Sequence, residues 1–324
     1  MLIPILLLLF AGQDTWTDVE RVIAIGDIHG DYKALTEVLR SAGVIDGKGH
    51  WTGGTTHIVQ AGDILDRGSE SRKVMDLLMS LEKEAEKAGG RVHSLIGNHE
   101  AMNIYGDLRY VSPADFASFR TVDSGQLRDR FWNQYTGPDK RKKWEDGHPL
   151  GWFEHRAAFG PMGVYGKWLR SRNTVVKIND TIYLHGGISP KFLTMSIRQI
   201  NDEVSAELQD FSKLTPSSVA IAEDGPLWYR GLAQARETEL ADHVSRLLQA
   251  YGVKRIVIAH TPTPGVVLTR FAGKVVMIDT GLSETYGSRR ACLLIEDSKL
   301  YAIHRGEKIA RIRQSVCANR AEIR

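Results

Sequence analysis

The first hundred residues alternate between short apolar runs and longer segments in which apolar residues recur with helical spacing. Three apolar runs, at residues 21–26, 56–62 and 91–97, each end in glycine and predict buried strands. The segments between them, residues 32–43 and 70–90, predict helices that also end in glycine. This order of strand, helix, strand, helix, strand predicts a mostly parallel sheet with crossover helices.

The pattern changes between about residues 101 and 166, where aromatic residues are interleaved with Arg and Lys. We predict a helical insertion, or cap, rather than sheet in this stretch. Beyond it, strand patterns return at residues 174–187 and 255–279, and helices are predicted over residues 196–212 and 237–251. The C-terminal half is therefore strand-rich, and we expect part of it to be antiparallel.

Five of the predicted strands have the same kind of ending, because an Asp, Asn or His stands where the apolar run stops. The polar residues at these ends are Asp27 with His29, Asp63, Asn98, His185 and His260. In open α/β sheets, sites form at the carboxyl ends of the strands. At the first four ends a neighbouring glycine lets the backbone turn sharply and approach a ligand closely.

The chemistry of these residues favours metal binding. Two aspartates, one asparagine and three histidines are too many ligands for one ion, but they suit two ions if one carboxylate bridges them. Oxygen and imidazole ligands without thiolate suit Mn²⁺, Fe or Zn²⁺ better than Mg²⁺ or Ca²⁺. Each motif alone has a structural interpretation, such as a helix cap at Asp27 or a hydrogen-bonded His185. The ordered set of five favours a site with two metal ions, which promotes in-line displacement at phosphorus.

The ordered motifs GDIHG, GDILDRG, GNHE, HGG and a late AH resemble the calcineurin-like metallophosphoesterase superfamily. GDILDRG followed by GNHE resembles its phosphoprotein phosphatase branch. GNHEAMNIYGDLRY, GPLWYRG and IDTG resemble the Shewanella-like protein phosphatases. The resemblance covers roughly residues 21–305, and Asp279-Thr280-Gly281 departs from the Ser-Ala-Pro-Asn-Tyr loop of the eukaryotic Ser/Thr enzymes. It implies an α/β metallophosphoesterase fold, with central mixed sheets in a β-sandwich flanked by helices and a helical cap insertion.

The resemblance also implies a role for each motif residue. The first metal ion is expected on Asp27, His29 and Asp63, and the second on Asp63, Asn98, His185 and His260. His99 is expected to face the leaving-group oxygen as a general acid, paired with Asp66. Arg67 and Arg230 are expected to hold phosphate oxygens.

Some charged residues near the motifs have alternative interpretations. Asp66 and Arg67 would instead form a local ion pair on their turn, and Arg230 would be a solvated surface residue. We expect Asp31 to cap the following helix and Glu100 to anchor its own loop by hydrogen bonds.

Three residues of the predicted cap lie close to the third motif in the sequence. Asp107, Arg109 and Tyr110 either shape substrate entry or fix the insertion.

The function implied is a dinuclear-metal phosphomonoesterase, a protein phosphatase acting on phosphotyrosine, phosphoserine or phosphothreonine through a metal-bridging hydroxide. A histidinium held by a carboxylate can protonate the departing oxygen. One alternative keeps the site and changes the substrate to a nucleotide polyphosphate of the diadenosine tetraphosphate type. A second alternative, a non-catalytic binding module using the aromatic cap, is disfavoured because all six ligands are present.

Composition adds limits rather than a function. The 324 residues carry a net charge of +3 without a long basic block, so we expect no nucleic acid as partner. The resemblance implies a phosphorylated protein or peptide as partner. The oligomeric state is left open. We predict one domain over residues 20–310 and a tail at residues 311–324.

The N-terminus predicts targeting. Residues 2–10 form an apolar run followed by small residues and too short to span a membrane, so residues 1–13 are expected to be a cleaved export signal or an organelle-targeting segment. A simple buried N-terminal strand is the remaining alternative. Neither Cys292 nor Cys317 lies in a CxxC motif, so a zinc site built on cysteine is not expected. Cys292 is expected to be a buried free thiol, and a disulfide between the two requires export.

Overall fold

Two β-sheets packed against each other organise the chain. The computed structural model describes residues 13–310 and 312–314. Its strands are β1 (Thr15–Trp16), β2 (Arg21–Ile25), β3 (His57–Gln60), β4 (Arg91–Ser94), β5 (Val175–Ile178), β6 (Thr181–Leu184), β7 (Arg255–Ile258), β8 (Leu268–Arg270), β9 (Val275–Met277), β10 (Ala291–Glu296), β11 (Lys299–His304), β12 (Glu307–Ile309) and β13 (Arg313–Gln314). The predicted targeting segment, apart from Gln13, and Cys317 lie outside the described residues.

Each sheet contains three neighbouring strands that pair in parallel. The first sheet has the order β12-β11-β10-β2-β3-β4, and the second β1-β5-β6-β7-β9-β8-β13. Strands β2, β3 and β4 pair in parallel, as do β6, β7 and β9. β10 pairs antiparallel with both β2 and β11. The predicted parallel N-terminal half, the partly antiparallel C-terminal half and the sandwich of mixed sheets are therefore confirmed.

The apolar runs are continuous because both faces of the central strands are buried. In β2, Val22 and Ala24 pack in the layer between the sheets. Ile23 and Ile25 point the other way, into the core beneath the helices. All four side chains are at most 2% exposed, so this strand is fixed on both faces and delivers the residues after it to a defined place.

Helices cover the outer faces of both sheets. They are α1 (Tyr32–Ser41), α2 (Ser71–Lys87), α3 (Asn98–Tyr105), α4 (Pro113–Ser118), α5 (Ser124–Gln134), α6 (Arg141–Gly147), α7 (Trp152–Phe159), α8 (Val164–Arg170), α9 (Ile197–Gln209), α10 (Gly231–Gln234) and α11 (Glu237–Tyr251). Asp31 caps α1 as predicted, because its carboxylate accepts a hydrogen bond of 2.8 Å from the Ala34 amide. None of the helices in the described part of the chain is long and apolar enough to cross a bilayer.

Between β4 and β5 the chain forms helices and turns only, where the sequence predicts an insertion over residues 101–166. We call α4–α8 the helical cap. Its surface aromatics stack on each other; the rings of Phe131 and Phe153, for example, lie 4.1 Å apart and nearly parallel. The cap is thus held by ring contacts near its surface as well as by buried residues such as Phe159.

The second sheet extends beyond the predicted domain limits at both ends. β1 pairs with β5 before residue 20, and β13 pairs with β8 within the predicted tail. Each of these strands has two residues, which is too short for an alternating pattern to be recognised in the sequence. Cys292 lies fully buried in β10 as a free thiol, as predicted.

Candidate active site and metal centre

Six parallel strands, three from each sheet, end at one edge of the sandwich, and a polar side chain follows each. These are Asp27 after β2, Asp63 after β3, Asn98 after β4, His185 after β6, His260 after β7 and Asp279 after β9. Each of the six is at most 5% exposed. The structure thus brings the predicted ligands together, with His29 two residues beyond Asp27, and adds Asp279.

The three predicted histidine ligands are oriented by main-chain carbonyl groups. The contacts are His29 Nδ1 with Leu65 (2.9 Å), His185 Nδ1 with Ala61 (2.8 Å) and His260 Nε2 with Trp228 (3.1 Å). Because a carbonyl only accepts, the nitrogen that faces it must carry the proton, and the other nitrogen keeps its lone pair. Metal-binding histidines are held in this way, since the outer hydrogen bond fixes both tautomer and ring orientation.

Ligand atoms converge on one point beside His185. Its Nε2 lies 2.9 Å from Asn98 Oδ1 and 3.3 Å from Asp63 Oδ2. With the proton of His185 on Nδ1, these three atoms meet lone pair to lone pair. Lone pairs that face one another repel, and a cation bound between the three atoms removes this repulsion. Metal ligands require this arrangement.

Asp63 lies at the centre of the cluster. Its Oδ2 is 3.9 Å from His29 Nε2, and Asp27 Oδ2 approaches the same nitrogen to 3.8 Å. Two groups of side chains each have potential ligand atoms within 4.8 Å of one another: His29, Asp63 and His99, and Asp63, His185 and His260. Asp63 belongs to both groups, and this is the position the sequence analysis assigns to a bridging carboxylate.

The carboxyl groups of the site are crowded. Burial, together with the charges of Asp279 and Asp63, raises the pKa of Asp27 well above its ordinary value. Burial also raises the pKa of Asp279 to about 6. Burial opposes ionisation of Asp63 too, but His185 and His99 outweigh it and hold the Asp63 pKa well below its usual range. Ionising these carboxyl groups together is therefore unfavourable unless a cation lies between them.

The histidines supply neutral ligands. Burial lowers the pKa of His29 to about 4 and that of His260 to about 2. Neutral imidazole is the form that binds metal. A buried set of carboxylate and amide oxygens with neutral imidazoles, and without thiolate, fits Mn²⁺, Fe or Zn²⁺.

Three of the predicted metal ligands have left-handed backbone conformations that non-glycine residues rarely adopt. The φ angles are 47° at His29, 55° at Asp63 and 64° at His260. The turns after β2 and β3 hold each other, because the amides of Ile28 and His29 both donate to the Asp63 carbonyl, at 2.9 and 3.0 Å. Such strained positions persist only where surrounding contacts fix them, and they concentrate at functional sites.

Glu100 connects two of these loops and does more than anchor its own. One carboxylate oxygen accepts hydrogen bonds from the amides of Asp63 (2.7 Å) and Gly97 (2.8 Å). The other accepts from Ile64 (2.8 Å) and Leu65 (3.3 Å). Burial and the Asp63 charge raise the pKa of Glu100 to about 7. The fully buried carboxylate therefore fixes the loop after β3 against the start of α3.

The predicted partner of His99 is in place. His99 Nδ1 lies 2.6 Å from Asp66 Oδ2, and His99 Nε2 points toward the centre, 3.8 Å from Asp63 Oδ2. Burial alone lowers the pKa of His99, but Asp63 and Asp66 outweigh it, so the pKa is raised above the ordinary histidine value. Asp66 is therefore committed to His99 rather than to Arg67, whose guanidinium forms no ion pair within the described residues.

The two predicted phosphate-binding arginines lie at the rim of the site. The Arg67 guanidinium is exposed and lies over the Tyr110 ring, 3.8 Å from its centroid. Arg230 is half-buried and donates to the His260 carbonyl (2.6 Å) and to Thr261 Oγ1 (3.1 Å). Arg230 is thus held against a predicted ligand loop rather than free in solvent.

Asp107, Arg109 and Tyr110, which precede the helical cap, make two kinds of contact. Arg109 donates twice to Asp107, at 2.8 and 2.6 Å, so this pair fixes its own turn. Tyr110 instead contacts the site, because its ring lies 5.2 Å from that of His99 and beneath Arg67.

Sequence reasoning missed two residues that the structure places here. The run KVVMID ends in Asp279 just as the other strands end in their polar residues, so the same pattern would have found it. Tyr286 packs its ring 5.1 Å from His29 while remaining 38% exposed. No motif marks Tyr286, since a single tyrosine in a short 3₁₀ turn has no periodicity.

A cavity of about 820 Å³ opens beside the site. It lies between the start of α1, the start of α4 and the segment 283–290. Charged and polar residues line it, including Lys33, Arg67, Ser112, Glu284 and Arg290, and it reaches His29. The charged side chains in its walls suit a polar ligand better than a small apolar one.

Comparison with known proteins agrees with this geometry. Residues 20–264 match the Calcineurin-like phosphoesterase family. An uncharacterized protein of Schizosaccharomyces pombe is 35% identical over 298 residues, covering 88% of this chain and 81% of that protein. Shewanella-like protein phosphatase 2 of Arabidopsis thaliana is 33% identical over 289 residues, covering 84% of this chain and 74% of that protein.

Solved structures extend the comparison to the fold. The cold-active protein-tyrosine phosphatase of a psychrophilic Shewanella species is 31% identical, with a TM-score of 0.73 over 92% of this chain and 82% of that one. A serine/threonine phosphatase of Saccharomyces cerevisiae has a TM-score of 0.54 at 16% identity over 93% of this chain and 84% of that one, which shows a shared fold only.

Proposed function

The chain belongs to the calcineurin-like phosphoesterases and, within them, to the Shewanella-like protein phosphatases, and from this premise we propose that it removes phosphate from phosphoproteins at a two-metal site. The observation that carries the proposal is the position of His99, held by Asp66 and directed at Asp63. A carboxylate-held imidazole beside a shared metal ligand is suited to protonate the departing oxygen in phosphoester cleavage.

The metal site is assigned to two ions, each Mn, Fe or Zn. Asp27, His29 and Asp63 would hold one, and Asp63, Asn98, His185 and His260 the other. When bound, such ions activate water as the nucleophile and neutralise charge on the phosphoryl oxygens. Support comes from the lone pairs that meet beside His185 and from the crowded carboxyl groups.

The remaining residues bind the phosphoryl group and move a proton. The guanidinium groups of Arg67 and Arg230 would donate to phosphoryl oxygens, for which their planar forks are suited. His99 Nε2 donates a proton to the departing oxygen, because the neighbouring carboxylates keep the imidazole protonated. Asp66 keeps the ring aligned during this transfer.

Phosphotyrosine is the substrate that the rim favours. Tyr110 and Tyr286 present rings on the His99 and His29 sides of the site, and aromatic faces pack favourably against a phenyl ring. The named function of the Shewanella structural relative points the same way. The adjacent cavity offers space for the residues that flank the phosphorylated side chain.

A phosphopeptide panel with parallel metal analysis tests the proposal. We expect hydrolysis of phosphotyrosine peptides to exceed that of phosphoserine and phosphothreonine peptides, with two metal equivalents bound per chain. Faster turnover of diadenosine tetraphosphate than of any phosphopeptide would replace the proposed substrate. A chain that binds no metal after loading with Mn²⁺ would contradict the enzyme itself.

The acid assignment has its own test. His99→Asn should lower kcat far more for phosphoserine peptide, a poor leaving group, than for p-nitrophenyl phosphate, whose leaving group needs no proton. General acid catalysis contributes about 10²–10⁴-fold, so the difference between substrates is measurable. Equal losses on both substrates would remove His99 from the acid role.

A further inference from the structure

We propose that Asn103 is a positioning residue for the general acid, holding Asp66 in the orientation that aligns His99. The inference rests on the proposed acid role of His99 and extends it to a residue one helical turn further along α3. Asn103 is 1% exposed and contacts no predicted metal ligand through its side chain.

The amide of Asn103 makes two hydrogen bonds with one nitrogen. Nδ2 donates to Asp66 Oδ1 at 2.9 Å and to the His99 carbonyl at 2.9 Å. The other oxygen of Asp66 receives His99 Nδ1 at 2.6 Å. Both carboxylate oxygens of Asp66 are therefore engaged, one by the imidazole and one by the amide, so rotation of the carboxylate breaks a bond.

The orientation of the amide follows from its neighbours. A carboxylate and a carbonyl can only accept, so the NH₂ group must face them. Asn103 Oδ1 is left buried without a hydrogen-bond partner. This unsatisfied acceptor lies directly beside the acid pair, where the amide is turned to serve Asp66 rather than its own oxygen.

Asn103 is itself fixed from the cap. The Arg156 guanidinium of α7 donates to the Asn103 carbonyl and, at 3.3 Å, to the Ile104 carbonyl. These bonds satisfy carbonyl groups at the end of α3, where intrahelical partners are lacking. The acid pair is thus connected through Asn103 to the helical cap.

A buried asparagine with a structural role looks different in this chain. Asn201 Oδ1 accepts from the amides of Thr174 and Val175, both at 2.8 Å, and its Nδ2 donates to the Val175 carbonyl at 2.9 Å. Both ends of that amide are satisfied by main chain, and no site residue is involved. Asn201 therefore provides a matched control.

The test is the dependence of kcat on the leaving group. In Asn103→Leu, which keeps the volume and removes the donor, kcat for phosphoserine peptide should fall about tenfold to a hundredfold. The loss for p-nitrophenyl phosphate should be at most about threefold, with KM and bound metal unchanged. In an Asp66→Asn background, Asn103→Leu should cause little further loss, since the two residues act in series.

Two further variants keep the test decisive. Asn201→Leu should lower the melting temperature without changing the ratio of kcat values between the two substrates. Asn103→Asp, which keeps the shape but opposes Asp66 with a second carboxyl group, should reproduce the leaving-group effect if Asn103→Leu fails to fold. Wild-type kcat ratios in the Asn103 variants would overturn the proposal. If His99→Asn shows no leaving-group dependence, the acid assignment itself fails, which is a separate outcome.

Discussion

The carboxyl edge of the two sheets and the helical cap hold their polar side chains in opposite ways. At the edge, Asp63 and His185 are almost fully buried, and main-chain groups fix the loops that carry them. In the cap, charged residues pair in solvent; Arg141 with Glu145 is an example in which the guanidinium side chain is 49% exposed. Exposed pairs of this kind contribute about 0–1 kcal/mol.

This difference separates the residues proposed to act in catalysis, at the sheet edge, from the residues of the cap that support the fold. Residues at the sheet edge have one conformation, enforced by strained backbone and by bonds that a substitution leaves unsatisfied. Cap residues have alternatives, because water replaces a lost partner. We therefore expect substitutions at the edge to abolish activity or folding, and most surface substitutions in the cap to do neither.

The largest expected effect is that of Asp63→Asn. Removing the shared charge should lower kcat for p-nitrophenyl phosphate at least about a thousandfold, since a metal ion supplies several kcal/mol of transition-state stabilisation. Metal analysis of the same sample should show less than the wild-type content. Near-wild-type kcat would refute the bridging position.

Asp115→Asn, in the helical cap, is the matched control for Asp63→Asn. Asp115 is 2% exposed and accepts from the Ser71 amide at 3.1 Å, and burial raises its pKa to about 6. In Asp115→Asn the amide oxygen can still accept that bond. We expect kcat to change less than about threefold, because this buried carboxylate faces no ligand. A large loss would break the distinction between edge and cap.

Glu100→Gln should give the second largest effect. In the wild type, each carboxylate oxygen accepts from two backbone N–H groups. Whichever way the new amide turns, its NH₂ group must face two of these donors. Buried groups left without a partner cost about 1–3 kcal/mol each, so we expect a loss of about 2–5 kcal/mol in the free energy of unfolding. Chemical denaturation measures it.

Glu207 provides the comparison for this variant. Its carboxylate accepts from the amides of Val219 (2.9 Å) and Ala220 (2.7 Å), away from the site and half-buried. Glu207→Gln should lose less stability than Glu100→Gln and should leave kcat unchanged. Equal losses in the two variants would show that the edge is no more tightly held than a surface loop.

Most of the sheet edge is predictable from the sequence. Each parallel strand buried on both faces reads as an apolar run that ends in a polar residue, and at four of the six ends glycine stands next to that residue, as at Gly26 and Asp27. The order of these ends along the chain defines which residues meet. Asp279 also ends an apolar run, so the same pattern is sufficient to predict its place at the sheet edge.

Other features have no local signal. The bonds of Glu100 to the β3 loop and of Asn103 to Asp66 depend on residues about 35 positions away, and a helix pattern does not distinguish an inward amide from a core polar group. β1 and β13 are too short to alternate. The positions of Tyr110 and Tyr286 depend on how loops return over the edge, which only tertiary contacts determine.

A second pair of buried histidines, His57 of β3 and His93 of β4, tests whether buried histidines alone mark a functional site. His57 Nδ1, at the start of β3, lies 3.1 Å from His93 Nε2 of β4. Burial lowers the pKa of His57 to about 4, and also lowers that of His93. Unfolded histidine titrates near pH 6.5, so the unfolded chain takes up protons first and stability should fall as pH drops from about 6.5 to 4.

His57→Gln should therefore flatten the decline of melting temperature over this pH range and leave phosphatase kcat at pH 7 unchanged. His50, whose side chain is 67% exposed, is the control, and His50→Gln should leave the decline as it is. An unchanged slope in His57→Gln would show that the pair is not neutral in the folded chain. A loss of activity would mean that both ends of the strands serve function.

The smallest effect is expected at the cap surface. Phe131 is 43% exposed and contacts Phe153 through a nearly parallel stack, so Phe131→Ala should lower the free energy of unfolding by only about 1 kcal/mol. Phe159 is also in the cap but is 1% exposed, so Phe159→Ala should lower the free energy of unfolding by about 3–5 kcal/mol. Turnover of p-nitrophenyl phosphate should be unaffected by Phe131→Ala. If turnover of a phosphotyrosine peptide nevertheless fell, the cap surface would contact substrate, and the separation between chemistry at the edge and support in the cap would have to be redrawn.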